Sequence, residues 1–254
     1  MKTYEIYPLI NLICDDNEMS AQTYLQNFGK RNPAPVVIWL VKGNGRNILV
    51  DSGGSEAKIA SVQHHPCEQK PEMLPENLVR SAGVEPADID TVVITHLHWD
   101  HCYNLEKFPN ANIYIQKREA EFAINPYPTH WRFYEHPKLG LEMPWLKHLN
   151  RITFVDGDFT LCEGVEVYLM PGHAPGMQNV AVQTTDGIYL IASDNIPLYL
   201  NWEGADIHRH IPSAIHCNLD DYYATFRKME KVSDHVLPSH DMKLLDFKVF
   251  PSKK

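Results

Sequence analysis

The chain lacks any pair of cysteines at metal-binding or redox spacing. Its five cysteines, Cys14, Cys67, Cys102, Cys162 and Cys217, stand far apart, and no C-x-x-C occurs. An odd, scattered set is neither a disulfide framework nor a structural zinc site, and it fits a reducing, cytoplasmic setting. Positive charge is also scarce: 23 Lys and Arg stand against 32 Asp and Glu, a net charge of -9. Nucleic-acid binding needs clustered basic residues, so that partner class is disfavoured. No apolar run approaches the ~20 residues that span a bilayer. The opening "MKTYEIYPLINLIC" is broken by Glu5, Pro8 and Asn11, and no small-residue cleavage site follows it. There is no internal repeat and no low-complexity linker. The length of 254 residues, 44% of them hydrophobic, fits one large domain over residues 1–254.

Strand-like runs dominate what is there. "PVVIWLVKG" (35–43) and "RNILVDSGG" (46–54) flank "GNG", a hairpin signal. Helix signals run from Pro75 to Gly83. Strands are expected over 88–96 and 112–117, with a short helix at "REAEFAI". Further strands follow at "RITFVDGD" and "GVEVYLMPGH", a second hairpin turns at Asp186-Gly187, and "LDDYYATFRKMEKV" (219–232) reads as an amphipathic helix. Residues 125–150, rich in proline and aromatics, read as a functional loop or cap around the domain. Tyr127, Trp131, Phe133, Tyr134 and Trp145 there could line a pocket or form a homodimer interface. The whole pattern suggests an αββα sandwich, an α/β fold of two mixed sheets flanked by helices.

Histidine is abundant, with 14 copies, and it is clustered. "THLHWDH" (95–101) follows an apolar strand. In an extended segment His96 and His98 point to one side, and imidazole and carboxylate are zinc ligands. Four donors on one short loop cannot easily surround one ion. They could feed two, one through His96 and His98, the other through Asp100 and His101. Later apolar strands end on further donors: His173 in "LMPGHAPG", Asp194 in "YLIASDN" and His240 in "VLPSHD". A charged Asp at a buried strand end needs a partner, and a metal is one.

These motifs, in this order from about Val36 to His240, resemble the metallo-β-lactamase superfamily. Within it, "FPNANIYIQKRE", "VDGD" and "SDNIPLY" are most similar to the N-acyl homoserine lactonase-like hydrolases. The resemblance implies one divalent ion on His96, His98 and His173, and a second on Asp100, His101 and His240, with Asp194 bridging. Zn2+ is the first expectation, with Co2+, Mn2+ or Fe2+ also possible. Asp51 in "LVDSGG" would orient a ligand histidine. The implied activity is hydrolysis of a small-molecule lactone by a hydroxide bridging the two ions, with Asp100 or Asp194 passing the proton to the leaving group.

Departures narrow the choice. Asp194 stands where zinc β-lactamases with a Cys ligand carry that cysteine. His98 stands where flavodiiron proteins usually carry Glu, which disfavours a di-iron redox role. A hydrolase of another cyclic ester, amide or thioester is the alternative. The lactonases use a Tyr three residues after the bridging Asp; Pro197 holds that place here, and Tyr199 is the nearest substitute. His216 is a further pocket candidate. Cys102, just past the metal loop, reads as a small buried residue rather than a ligand.

Overall fold

The structure is a computed structural model that describes residues 2–252. Among the described residues twelve strands form two mixed sheets. The first holds β1 (Glu5–Glu18), β2 (Arg31–Gly43), β3 (Arg46–Val50), β4 (Cys67–Glu68), β5 (Thr91–Val93), β6 (Asn112–Gln116) and β7 (Ile152–Val155), in the order β4-β1-β2-β3-β5-β6-β7. The second holds β8 (Phe159–Cys162), β9 (Val165–Leu169), β10 (Gln178–Thr184), β11 (Gly187–Ser193) and β12 (His235–Pro238), in the order β12-β11-β10-β9-β8. Strands β3, β5, β6 and β7 run parallel, as do β11 and β12, and the other pairs are antiparallel.

Both expected hairpins form. Asn44 and Gly45 between β2 and β3 have φ of 52° and 75°, the positive pair that matches strand twist. The chain opens with one 14-residue strand, longer than the short runs expected, because bulges absorb the polar interruptions. Asn11 in it is fully buried, with its side chain bonded to Gly54 and Met73.

The inner faces of the two sheets share a core of Ile6, Val37, Trp39, Val50, Val93, Val167, Val180 and Ile191. Helices α1 (Met19–Gln22), α2 (Ala57–Gln63), α3 (Pro75–Ser81), α4 (Lys117–Ile124), α5 (Tyr199–Glu203) and α6 (Leu219–Val232) lie outside it. The outer face of the first sheet packs on Val79 of α3 and on Ala120 and Ala123 of α4. The second packs on α6, whose buried Tyr222, Phe226 and Met229 recur at helical spacing. The expected αββα layering is therefore present. No helix among the described residues is long and apolar enough to cross a membrane.

Two readings change. Residues 125–150 are built of short 3-10 turns, each opened by a proline. Tyr134 and Trp145 are fully buried in the outer core, so these two aromatics are core residues, while Tyr127 stays exposed. Cys14 and Cys67, expected as thiols, form a disulfide. They are placed opposite each other by β1 and the two-residue β4, a strand too short to leave a mark in the sequence.

Candidate metal centre

The strands that run toward one edge of the sandwich deliver the donors. Asp51 follows β3, the His96–His101 loop follows β5, Asp194 follows β11 and His240 follows β12. His173 lies in the turn between β9 and β10, where Gly176 packs so tightly on the backbone of Glu119 that no Cβ would fit.

Two groups of donors converge. His96, His98, His173 and Asp194 form one, and Asp100, His101, Asp194 and His240 the other, with the donor atoms of each within 4.8 Å of one another. Asp194 belongs to both. Its Oδ2 lies 3.5 Å from His173 Nε2 and 3.8 Å from His96 Nε2, while its Oδ1 lies 3.0 Å from His240 Nε2 and 3.3 Å from His101 Nε2. Asp100 Oδ2 is 3.6 Å from both His101 and His240.

The outer partners decide which nitrogen faces inward. His101 Nδ1 donates to Asp51 at 2.7 Å, His173 Nδ1 to the Ile215 carbonyl at 2.7 Å and His240 Nδ1 to the Pro35 carbonyl at 2.8 Å. Thr95 Oγ1 donates to Asp51, so it accepts from His96 Nδ1 at 3.1 Å. In the neutral form each of these rings therefore presents an Nε2 lone pair to the centre, the arrangement of a metal-ligating histidine.

The inward atoms are poorly satisfied by protein. His96 Nε2, His101 Nε2 and Asp194 Oδ1 are buried without a hydrogen bond of good geometry. His173 Nε2 lies 3.1 Å from His98 Nδ1, two ring nitrogens facing one another. Buried polar atoms are normally paired, and a set of converging lone pairs and carboxylate oxygens is what a cation would satisfy. The residues fit two divalent ions.

Charge differs between the groups. Burial, with the neighbouring imidazoles, holds the pKa values of His96 and His98 well below the usual histidine range, and burial lowers His173 to about 4. In the other group burial also opposes charge, but Asp100, Asp194 and Asp51 outweigh it and hold His101 well above its ordinary value. His240 is raised to about 9 by Asp194 and Asp100 against the same burial. Burial would raise Asp194, yet His240 and His101 hold it well below the carboxylate range.

Three supporting residues had no signal in the sequence. Thr95 ties Asp51 to Ser193 at the two strand ends, and Asp51 and Ser193 both have left-handed backbone, with φ of 65° and 46°. Such strain persists only where the surroundings enforce it. Glu119 is buried and accepts from Leu97 N, Gly176 N and the Tyr134 hydroxyl, so one carboxylate holds the loops of His96, His98 and His173. Glu135 pairs with His64, which stacks on Trp99 at 4.1 Å and so braces the metal loop from outside.

Other candidates lie elsewhere. Tyr199 is not at the cleft. Its ring packs against the edge of the inter-sheet core with Lys243 over it, because the chain turns away into α5 after Pro197. Pro197 itself lines the cleft. His216 donates to Ser213 and abuts Tyr24. Cys102 is fully buried and donates to the His98 carbonyl at 3.4 Å; burial pushes its thiol well above the ordinary value.

The cleft above the two groups encloses about 150 Å³ and is walled by Val36, Trp99, Phe133, Pro197, Ile215 and Gln22. It is largely apolar, with the acidic and imidazole groups at its floor.

A family model described as Metallo-beta-lactamase superfamily matches residues 31–240. The chain is 28% identical over 165 residues to the N-acyl homoserine lactonase of Bacillus thuringiensis, a stretch covering 61% of each protein. Less than two thirds of that relative's length is therefore matched. It is 26% identical over 230 residues to N-acyl homoserine lactonase AttM of Rhizobium radiobacter, covering 85% of this chain and 82% of the relative. Among solved structures, an N-acyl homoserine lactone hydrolase with the product N-hexanoyl-L-homoserine at its catalytic metal center superposes with a TM-score of 0.78 at 22% identity, over 99% of each chain. A probable metal-dependent hydrolase from Staphylococcus aureus gives 0.74 at 16% identity, over 95% of this chain and 91% of the other. At these identities the superpositions speak for the fold.

Proposed function

The chain belongs to the metallo-β-lactamase superfamily, and we propose that it is a two-metal hydrolase that opens the lactone ring of an N-acyl homoserine lactone or a close analogue. One observation carries this reading. Asp194 offers one oxygen to each of two histidine-rich groups, the geometry of a bridging ligand. The fold and its His/Asp groups imply divalent ions, and five imidazoles with two carboxylates suit Zn2+ first, then Co2+, Mn2+ or Fe2+. Two such ions would supply a Lewis acid for the ester carbonyl and a water acidic enough to ionise near pH 7.

The chain's own residues do the rest. His96, His98 and His173 would hold one ion and Asp100, His101 and His240 the other, and Asp194 is close to both groups. Asp51 fixes His101 in its ligating tautomer. Asp100 faces the cleft and can hold the proton that the leaving alkoxide takes up. Val36, Trp99, Phe133 and Ile215 exclude water and receive the apolar part of the substrate. The lactone assignment is supported by relatives named as lactonases across most of the chain.

A hydrolase of another cyclic ester, amide or thioester would use the same groups. A pH-stat panel of lactones, thioesters, β-lactams and phosphodiesters, run with metal-loaded protein, separates them. Turnover of an amide with no lactone opened would overturn the lactone reading, and two oxygen-reactive irons would overturn hydrolysis itself. We further read residues 1–254 as one domain working in the cytoplasm. The exposed Tyr127, Leu139 and Leu149 form the homodimer face that we propose, to be checked by light scattering.

A further inference from the structure

Four of the five imidazole donors are oriented from outside. His96 is held by Thr95, His101 by Asp51, His173 by the Ile215 carbonyl and His240 by the Pro35 carbonyl. His98 is the exception. Its Nδ1 faces His173 and its Nε2 is buried without a hydrogen bond of good geometry. Its ring rests on Tyr134 and Phe133 by packing alone, with centroids 4.7 and 5.2 Å apart. Asp100 also lacks an outer partner among the described residues, since its ion pairs are with His101 and His240 of its own group. These two donors stand on either side of Trp99.

Trp99 itself is held tightly. Its backbone N–H donates to the Phe133 carbonyl at 2.8 Å. Gly54 lies so close to the indole that a Cβ there would sit 2.9 Å from Cζ3. The ring of His64 stacks on the indole at 4.1 Å, with the two planes 7° from parallel. His64 caps the C-terminal end of α2, and its Nε2 lies 3.1 Å from Glu135 Oε1, both side chains buried. Glu135 has left-handed backbone, with φ of 48°, a strain that persists only where the surroundings enforce it. Burying a carboxylate is costly unless it is paired, so Glu135 holds the imidazole in place, and the imidazole holds the indole.

We propose that His64 is a positioning residue for both ions: clamped by Glu135, it fixes Trp99 and thereby the placement of His98 and Asp100, one donor for each group. The inference rests on the two-metal reading and not on the choice of substrate. It gives to ring stacking the task that hydrogen bonds perform for His96, His101, His173 and His240. An outer residue of this kind acts on metal affinity and ligand geometry without touching substrate.

The test separates the ring from the ion pair. His64→Gln keeps a hydrogen-bonding partner for Glu135 but removes the ring. A double variant, His64→Phe with Glu135→Gln, keeps a flat ring on the indole and removes the ion pair together with its buried charge. The readouts are the visible spectrum of the Co2+-loaded protein, which reports ligand geometry, and Zn2+ affinity by chelator competition. Then kcat and KM are measured on whichever ester or amide the wild type cleaves. In His64→Gln both Zn2+ affinities fall about tenfold, the Co2+ bands shift, and kcat falls while KM holds. The double variant stays near the wild type in all of these. A folded His64→Gln protein with wild-type bands and affinities overturns the proposal, and so does a double variant that loses as much as His64→Gln. If His64→Gln does not fold, the double variant decides alone: wild-type Co2+ bands support the stack, and displaced bands overturn it. A wild type that binds fewer than two ions overturns the two-metal reading, and this inference with it.

Discussion

His101 Nδ1 lies 2.7 Å from Asp51 Oδ2, both side chains buried, and the same carboxylate accepts from the backbone and the hydroxyl of Thr95. A residue at the end of the neighbouring strand thus decides which nitrogen of His101 faces the second donor group. Asp51→Asn presents an amide where an acceptor is required, and the ring loses its fixed tautomer. Affinity for the second ion should fall by about 10- to 100-fold, read by competition with a chromophoric chelator, with a smaller loss at the first ion, whose ligand His96 is reached from Asp51 only through Thr95.

The two groups differ in protonation before metal arrives, and that has a sign. His101 and His240 both carry raised pKa values, about 9 for His240, so His240 holds a proton at pH 7.5 and must release it on binding. His96, His98 and His173 carry lowered values and have none to release. Metal must compete with protons at these rings, so affinity at the second group falls as pH drops below about 9, where His240 protonates. Calorimetry in buffers of different ionisation enthalpy should show more protons released by the ligand histidines for the second ion than for the first.

Glu119 joins the loops that carry His96, His98 and His173 through three donors. Glu119→Ala orphans all three in the interior, at ~1–3 kcal/mol each. A loss of about 3 kcal/mol or more should lower Tm by roughly 6–12 °C for a chain of this size. Differential scanning calorimetry checks it.

The cysteines can be counted. With Cys14 and Cys67 bonded, denatured, unreduced protein should show three free thiols, and reduction should raise the count to five. In a reducing cytoplasm the pair would be thiols, and lysate prepared under alkylating conditions would then show five. In the folded protein Cys217, pushed up to about 12 by burial, and buried Cys102 should resist iodoacetamide at pH 8. Cys162 should react first, as peptide mapping would report.

How far the sequence could be read depends on where the chemistry lies along the chain. His96, His98, Asp100 and His101 are adjacent, so their clustering was visible. His173, Asp194 and His240 were visible because apolar strands should not end on such residues by packing alone. The hairpins were legible from their turn residues, and α6 from its apolar spacing. Tyr199 is near Asp194 in sequence but not in space, because the turn into α5 separates them. Thr95, Glu119 and Glu135 lie on ordinary elements with ordinary neighbours, and only the folded chain reveals what they face. The same holds for Cys14 and Cys67, 53 residues apart, whose pairing depends on a two-residue strand.

The most direct test of the central claim is a metal titration of the apo protein, followed by pH-stat hydrolysis of an N-acyl homoserine lactone. Each ring opened releases one proton. Activity should rise to a plateau at two equivalents of Zn2+ per chain, and Asp194→Ala should remain nearly inactive at any loading. A plateau at one equivalent, or wild-type rates in Asp194→Ala, would contradict an Asp194-bridged pair of ions.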